Sequence, residues 1–158
     1  MAPSQAFDDI RIEKERVGVS ITMVGGETLS GCLFAPPIYP PGGLEDPLQI
    51  LNEAEPFFPL GLETGEVLLI AKDRVLEIML DEAVADEDGP GSAPTALLQI
   101  TLAGGIARVG SMRLEVRVMR PRVLDHMNHC TTRFMALRTD EGVRLINRKM
   151  IERVRPLD

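Results

Sequence analysis

The chain has 158 residues and a net charge of −7, with 44% hydrophobic and 26% charged residues, as in an ordinary globular protein. It contains no run of about eighteen apolar residues, and its first residues lack the apolar core of a signal peptide, so we expect neither membrane contact nor secretion. The absence of tryptophan and the single tyrosine argue against an aromatic ligand cage, and no motif indicates a cofactor.

The charge is divided unevenly along the chain. Residues 1–90 contain 18 acidic and 5 basic residues, a net charge of −13, whereas residues 91–158 contain 6 acidic and 12 basic residues, a net charge of +6. This asymmetry predicts contact between opposite halves, within or between molecules, or an anionic partner for the second half. The alternative is that two solvated faces simply diverged.

An internal repeat is the strongest pattern in the sequence. Residues 21–26 (ITMVGG), followed by Gly31, reappear as residues 100–105 (ITLAGG), followed by Gly110. A second block recurs three positions out of step, which one short insertion near residues 39–43 explains. Its matching pairs are Leu48/Leu124, Asn52/Asn128, Phe58/Phe134, Val67/Val143, Leu69/Leu145 and Ile70/Ile146. A self-match of fixed period indicates a repeated structural unit.

The repeat divides the chain into two units. We predict an N-terminal arm at residues 1–16, copy one at 17–81 and copy two at 97–158. Between the copies, residues 82–96 (EAVADEDGPGSAPTA) have the acidic, small-residue composition of a linker. Because a unit of about sixty residues buries barely enough surface to be stable alone, we expect the two copies to pack together.

Each copy begins with a strand pattern. Apolar and polar residues alternate over residues 19–23 and again over 98–102, and a Gly-Gly turn follows in both places. A second strand is clearest in copy two, where apolar and charged residues alternate over 113–118.

A short helical segment comes next, at residues 46–54 and 122–130. Leu48 and Leu51, like Leu124 and Met127, have the three-residue spacing of a helical turn directed at a core. Asn52 and Asn128 close these segments, where asparagine suits a helix terminus, and we prefer this structural role to ligand contact.

Three strands complete each copy, with a 3₁₀ turn before the last one. In copy one we predict Pro56–Leu62, Glu66–Ala71 and Val75–Leu80; in copy two, Arg133–Arg138, Gly142–Asn147 and Ile151–Arg155. Equivalent residues should line the two cores, namely Val67, Leu69 and Ile78 with Val143, Leu145 and Val154.

Five strands and one helical segment in so short a unit predict a small closed or nearly closed barrel, because closure removes exposed strand edges. The layout resembles the SH3/Sm-like small-barrel superfold in strand count and in the short turn before the last strand. We therefore expect a mainly β protein made of two five-stranded SH3/Sm-like barrels, each with one short helical segment. The loops GLETGE (61–66) and RTDEG (138–142) lack the RNA-contacting motifs of Sm proteins, so the resemblance implies no RNA function. The LN…FF.L…VLLIAKD.V pattern also resembles an uncharacterised bacterial family.

One cluster has metal-like chemistry. His126, His129 and Cys130 form HxxHC, and Cys32 could supply a fourth zinc ligand only if the two copies face each other. The copy-one residue equivalent to Cys130 is Ala54, which cannot bind zinc. We therefore predict no metal site, and two unpaired cysteines fit the reducing cytoplasm.

The basic residues of copy two are almost all arginine, which suits bidentate contact with carboxylate or phosphate. Arg113 and Arg117 have the RxxxR spacing seen in cyclic-dinucleotide-binding PilZ domains, but the companion motif is absent. With Arg153 and Arg155 they form the predicted partner-binding surface, which should be exposed and continuous.

No catalytic set can be assembled, since both histidines lie on one turn of copy two, and we expect no enzymatic activity. The favoured hypothesis is a cytoplasmic interaction or regulatory module that binds a protein partner, acidic at the basic face, or a second copy of itself. One alternative is an RNA- or DNA-binding protein that uses the arginines of copy two. The other is a small-ligand or metal sensor at the cleft between the copies.

Overall fold

The computed structural model describes residues 15–35, 45–81, 94–114 and 123–157. These residues form ten strands, two α-helices and two 3₁₀ turns, so the prediction of a mainly β protein is confirmed. The elements of the first unit are β1 (Glu15–Met23), β2 (Thr28–Ala35), α1 (Glu45–Asn52), β3 (Phe57–Gly61), β4 (Val67–Ala71), the turn Lys72–Arg74 and β5 (Val75–Leu80). Those of the second unit are β6 (Thr95–Leu102), β7 (Ala107–Arg113), α2 (Val123–His129), β8 (Phe134–Thr139), β9 (Gly142–Asn147), the turn Arg148–Met150 and β10 (Ile151–Pro156).

All ten strands belong to one antiparallel sheet, in the order β10-β6-β7-β8-β9-β5-β1-β2-β3-β4. Each unit contributes its fifth, first, second, third and fourth strands in that sequence. The units join where β5 pairs with β9. The described strands therefore form a single open sheet rather than two clearly separate five-stranded barrels. Periodicity within a strand predicts the strand itself, but it carries no information about which edges of two units pair.

Local structure corresponds between the units down to individual hydrogen bonds. In the first hairpin the Gly26 N–H donates to the Met23 carbonyl at 2.9 Å, and in its counterpart the Gly105 N–H donates to Leu102 at 3.0 Å. Both 3₁₀ turns lie where they were predicted. Each turn accepts a 2.8 Å bond from the hairpin of its own unit, at the carbonyls of Arg74 and Met150.

The repeated glycines mark a close crossing of two strands. A Cβ on Gly31 would clash with the Gly61 carbonyl oxygen, and a Cβ on Gly110 would clash with the Arg138 carbonyl oxygen. The second strand of each unit therefore passes directly against the third, and only glycine leaves room for the backbone there.

Two hydrophobic cores lie against the sheet, and each contains residues of both units. The first is formed by Val19, Ile21, Leu33, Leu51, Phe58, Leu60, Ile70, Val75, Ile78 and Leu80, together with Phe134, Val143 and Leu145 of the second unit. The second is formed by Ala96, Leu98, Ile100, Leu102, Met112, Leu114, Cys130, Met135, Leu137 and Ile146, together with Leu76 of the first unit. The expected packing of one copy on the other is thus present as shared cores.

The core prediction is correct in part. Ile78, Val143 and Leu145 are buried, as predicted, and Val154 is half-buried. The prediction is wrong for Val67, which is 53% exposed, and for Leu69, which is 71% exposed. The reason is their position: β4 is the last strand of the sheet, whereas its counterpart β9 is covered by the first unit.

Other boundaries shift slightly. β1 begins inside the predicted arm and β6 inside the predicted linker, while residues 1–14 and 82–93 lie outside the described part of the chain. The second strand of the second unit is Ala107–Arg113, so the residues 115–118 assigned to it also fall outside that part. Leu124, predicted to face the core, is exposed on α2.

The contrast between Leu69 and Leu145 gives a paired prediction. Leu145→Ala should lower the free energy of unfolding by about 2–5 kcal/mol, because it leaves a cavity in the first core. Leu69→Ala should change it by less than about 0.5 kcal/mol, because the side chain is largely in solvent. Urea unfolding of both variants in dilute solution measures the difference, and equal losses would contradict the described positions of these two residues.

Candidate functional site

The joint between the two units is an antiparallel ladder with a defined register. Ile78 on β5 lies opposite Leu145 on β9, and Glu77 lies opposite Ile146. Ile78 and Leu145 both belong to the first core, whereas Ile146 belongs to the second. The joint therefore has an apolar face on each side, and a one-residue slip of β9 would exchange them.

A buried carboxylate lies at this joint. Glu77 is 1% exposed and accepts hydrogen bonds from Arg108 Nε at 2.9 and 3.1 Å and from Arg144 Nη1. Arg108 is on β7 and Arg144 on β9, so an acidic residue of the first unit is paired with two arginines of the second. This is the contact between oppositely charged halves that the charge distribution predicted.

Asparagine side chains fix the backbone on both sides of the joint. The Asn52 amide donates to the Phe134 carbonyl at 3.3 Å and accepts the Phe134 N–H at 2.7 Å. Asn147, fully buried, donates to the carbonyls of Val75 at 2.9 Å and Lys72 at 3.3 Å. Asn52 does end α1, as predicted, but its side chain contacts the other unit rather than its own helix.

Lys72 donates hydrogen bonds to backbone carbonyls at the carboxyl end of helix α1. Its side chain is buried, and Nζ donates to the carbonyls of Ile50 at 3.2 Å and Glu53 at 3.0 Å. Burial lowers the pKa of Lys72, and the nearby Arg133 guanidinium lowers it further. Lys72 thereby holds the residues on either side of Asn52, which in turn holds the second unit.

An exposed apolar surface lies at the far end of the sheet. We call it the first-unit face: it consists of Phe57, Pro59, Val67 and Leu69 on β3 and β4, all of them exposed. Pro59 lies opposite Leu69 in the ladder, and Phe57 lies opposite Ala71. Cross-strand partners point to the same side of a sheet, so these side chains form one surface.

The corresponding surface of the second unit is buried. There Ala136 lies opposite Leu145, Phe134 opposite Asn147 and Arg138 opposite Val143. Phe134, Ala136, Val143 and Leu145 all pack in the first core. In the second unit this face is therefore covered by residues of the first unit, whereas in the first unit the equivalent face is exposed.

The ladder corrects one predicted equivalence. Phe134 lies opposite Asn147, and the residue opposite Ala71, which corresponds to Asn147, is Phe57 rather than Phe58. Phe58 and Phe134 are both buried, but they point to opposite sides of their strand pairs. The sequence match could not detect this offset of one residue in β3, because positions 57 and 58 are both phenylalanine.

Three of the four predicted partner-binding arginines can be placed. Arg153 and Arg155 are exposed on the edge strand β10, opposite Thr101 and Gln99. Arg113 is exposed at the end of β7, two strands away and opposite Thr95. All three lie on β10 and β7, the two strands that flank β6, but the partner of Arg113 is four positions along β6 from the partner of Arg155, so Arg113 is not adjacent to the other two. Arg117 lies outside the described residues.

The histidine and cysteine candidates do not form a ligand set. His126 and Cys130 are buried, with Cys130 Sγ 3.0 Å from Thr132 Oγ1, while His129 is exposed, with Nδ1 2.7 Å from the Asp125 carbonyl oxygen. Cys32 lies on β2 of the first unit as a free thiol. Within the four described ranges, no three histidine, cysteine or acidic side chains are grouped so that they could hold a metal ion.

The first-unit face was missed because two of its residues, Val67 and Leu69, were assigned to the core. A signal for it does exist in β4, whose sequence VLLIA is apolar at odd and even positions alike. Such a strand has two apolar faces, which is typical of a strand buried on both sides. One face packs in the first core, and the other has no cover among the described residues.

Comparisons of the chain with protein-family models, with curated proteins and with solved structures returned no match. Neither of the two described helices is long and apolar enough to cross a membrane.

Replacing Glu77 tests the joint. Glu77→Gln should destabilise the protein by on the order of 3 kcal/mol, because Arg108 and Arg144 then lose the carboxylate that neutralises them. Glu63→Gln is the matched control, since Glu63 is exposed and the same change there should have almost no effect. Chemical denaturation of both variants measures the loss, and a similar small change in each would show that the ion cluster does not stabilise the joint.

Proposed function

We propose that this chain is a non-enzymatic interaction module of the cytoplasm that binds a protein partner through the first-unit face and the free edge of β4. The observation that carries the proposal is the exposure of Phe57, Pro59, Val67 and Leu69 on one side of a terminal strand pair. An exposed apolar patch of this kind marks an interaction surface in a folded protein.

The edge beside this face specifies the kind of partner. β4 is hydrogen-bonded on one side only, to β3, among the described strands. A polypeptide in extended conformation can satisfy the other side by strand addition, with main-chain hydrogen bonds for affinity and side-chain packing for specificity. A polypeptide supplies both, whereas a small molecule or a nucleic acid supplies no matching strand.

The proposal includes the origin of the two units. We interpret them as duplicated small five-stranded barrels of the SH3/Sm-like type, opened and joined edge to edge. The support is the identical strand order, the corresponding hairpin and 3₁₀ hydrogen bonds, and the paired glycines Gly31 and Gly110. Such a rigid tandem presents two different ends, which suits a connecting or regulatory role.

A photo-crosslinking amino acid in place of Leu69 tests the proposed function in cells. We expect a covalent adduct with a polypeptide at this position, because the side chain is 71% exposed at the centre of the proposed surface. The matched control is the same substitution at Val109, an exposed apolar residue on β7, which should give no specific adduct. Absence of a protein adduct at position 69 would contradict the proposal.

Nucleic acid is the second candidate, because Arg113, Arg153 and Arg155 are exposed on the two strands that flank β6. We expect weak binding of RNA or DNA by the full chain, because the net charge of −13 on residues 1–90 repels phosphate. Fluorescence anisotropy over a salt series measures it. Tight binding that weakens steeply with salt, and that is lost in Arg153→Glu/Arg155→Glu, would place nucleic acid ahead of a protein partner.

A further inference from the structure

We propose that the partner of the first-unit face is a second copy of this chain, whose strand β10 adds to β4 in a head-to-tail arrangement. This inference rests on the proposed function and names its partner. Its basis is that the chain already contains one such joint, between β5 and β9. The counterparts of these two strands, β10 and β4, lie at the two ends of the sheet, and the outer edge of each is unpaired among the described strands.

The register of the proposed contact follows from the internal joint. Ile78 lies opposite Leu145 there. The repeat has a period of 76 residues in this region. The residue equivalent to Ile78 is therefore Val154 on β10, and the residue equivalent to Leu145 is Leu69 on β4. The inference therefore places Val154 of one molecule opposite Leu69 of the next, with the strands antiparallel.

The side chains that cover the buried face also have counterparts at the free end. In the internal joint, Leu48, Leu51 and Asn52 of α1 lie over Phe134 and its neighbours. Their counterparts on α2 are Leu124, Met127 and Asn128. Leu124 is 66% exposed and Asn128 is also exposed. In the first unit, by contrast, Leu48 packs against the first core and Asn52 bonds the second unit.

The same correspondence assigns a role to Asn128. Asn52 binds both backbone groups of Phe134, and the ladder makes Phe57 the counterpart of Phe134. The amide of Asn128 would thus bind the backbone of Phe57 in the next molecule. This accounts for an identical asparagine in both copies, of which only Asn52 bonds a strand of the neighbouring unit among the described residues.

Charge favours a second copy over an unrelated strand. β10 exposes Arg153 and Arg155, whereas the turn before β4 exposes Glu63 and Glu66. The halves that would meet carry net charges of opposite sign, −13 for residues 1–90 and +6 for residues 91–158. Association of the same ends with each other would bring like charges together, so the head-to-tail arrangement is selected.

The proposed contact lacks the buried polar groups of the internal joint. The counterparts of Glu77, Arg144 and Asn147 are Arg153, Leu68 and Ala71. Strand pairing and apolar packing therefore provide its stability, and it should be reversible and dependent on concentration. Because its two surfaces differ, the contact is heterologous and adds further molecules into a ring or an open chain instead of ending at a dimer.

Light scattering coupled to size-exclusion chromatography tests the inference on the full chain over a concentration series. The wild type and the control Val109→Arg should form species larger than one chain that grow with concentration. Leu69→Arg and Leu124→Arg should each remain monomeric, because each destroys one of the two surfaces. Both substituted residues are exposed, and circular dichroism of each variant verifies that the fold is retained.

An equimolar mixture of the two variants gives the decisive result. Leu69→Arg keeps an intact β10 end and Leu124→Arg keeps an intact first-unit face, so the mixture should form a species of two chains and nothing larger. A monomeric wild type, or a mixture that stays monomeric, would overturn the inference. A foreign protein crosslinked at position 69, with a monomeric wild type, would overturn this inference while leaving the proposed function in place.

Discussion

The pairing of β5 with β9 is the contact on which the rest of the molecule depends. It turns two groups of five strands into one sheet, and it brings Phe134, Val143 and Leu145 into the core of the first unit while Leu76 enters the core of the second. A unit of about sixty residues has little apolar surface to bury by itself. Here each unit completes the core of the other, so stability is a property of the pair.

Polar groups at this contact fix its register as well as contributing to its stability. Pairing of two strands alone would tolerate a shift in register, but in the observed register Glu77 accepts hydrogen bonds from both Arg108 and Arg144. Asn52 and Asn147 likewise bond to particular backbone groups. A shift of one residue would leave a buried carboxylate and two amides without partners, at a cost of several kcal/mol. The apolar contacts stabilise the joint in either case, whereas the polar contacts favour the observed register.

Much of the local structure could be predicted from the sequence. The strands β4, β5, β9 and β10 and both 3₁₀ turns lie within a residue or so of their predicted bounds, because strand alternation and turn residues act over short distances. The predictions of burial that failed depend on which strands lie beside a given strand in the sheet. Leu69 and Leu145 occupy matching positions of the repeat, yet one is exposed and the other buried, because β4 ends the described sheet whereas β9 pairs with β5.

The candidate site shows the same division. The charge distribution predicted contact between the halves, and the Glu77 cluster provides it. The first-unit face was not predicted, because the sequence pattern of β4 indicates two apolar faces without indicating what covers each one. The role of Asn52 also lay beyond the sequence, since a helix-terminal asparagine and one that binds a strand 82 positions away look the same in a pattern.

The joining of two units in one polypeptide has a consequence for how the protein can change. If identical single units were assembled through this contact, any substitution at the joint would appear in every contact at once. In the tandem chain, the position of Glu77 in the first unit is occupied by Arg153 in the second, and that of Asn147 by Ala71. The two ends of the sheet therefore differ from its middle in the side chains at these positions. A substitution on β4 or β10 leaves Glu77, Arg108 and Arg144 in place, so the chemistry of an end can change separately from that of the joint.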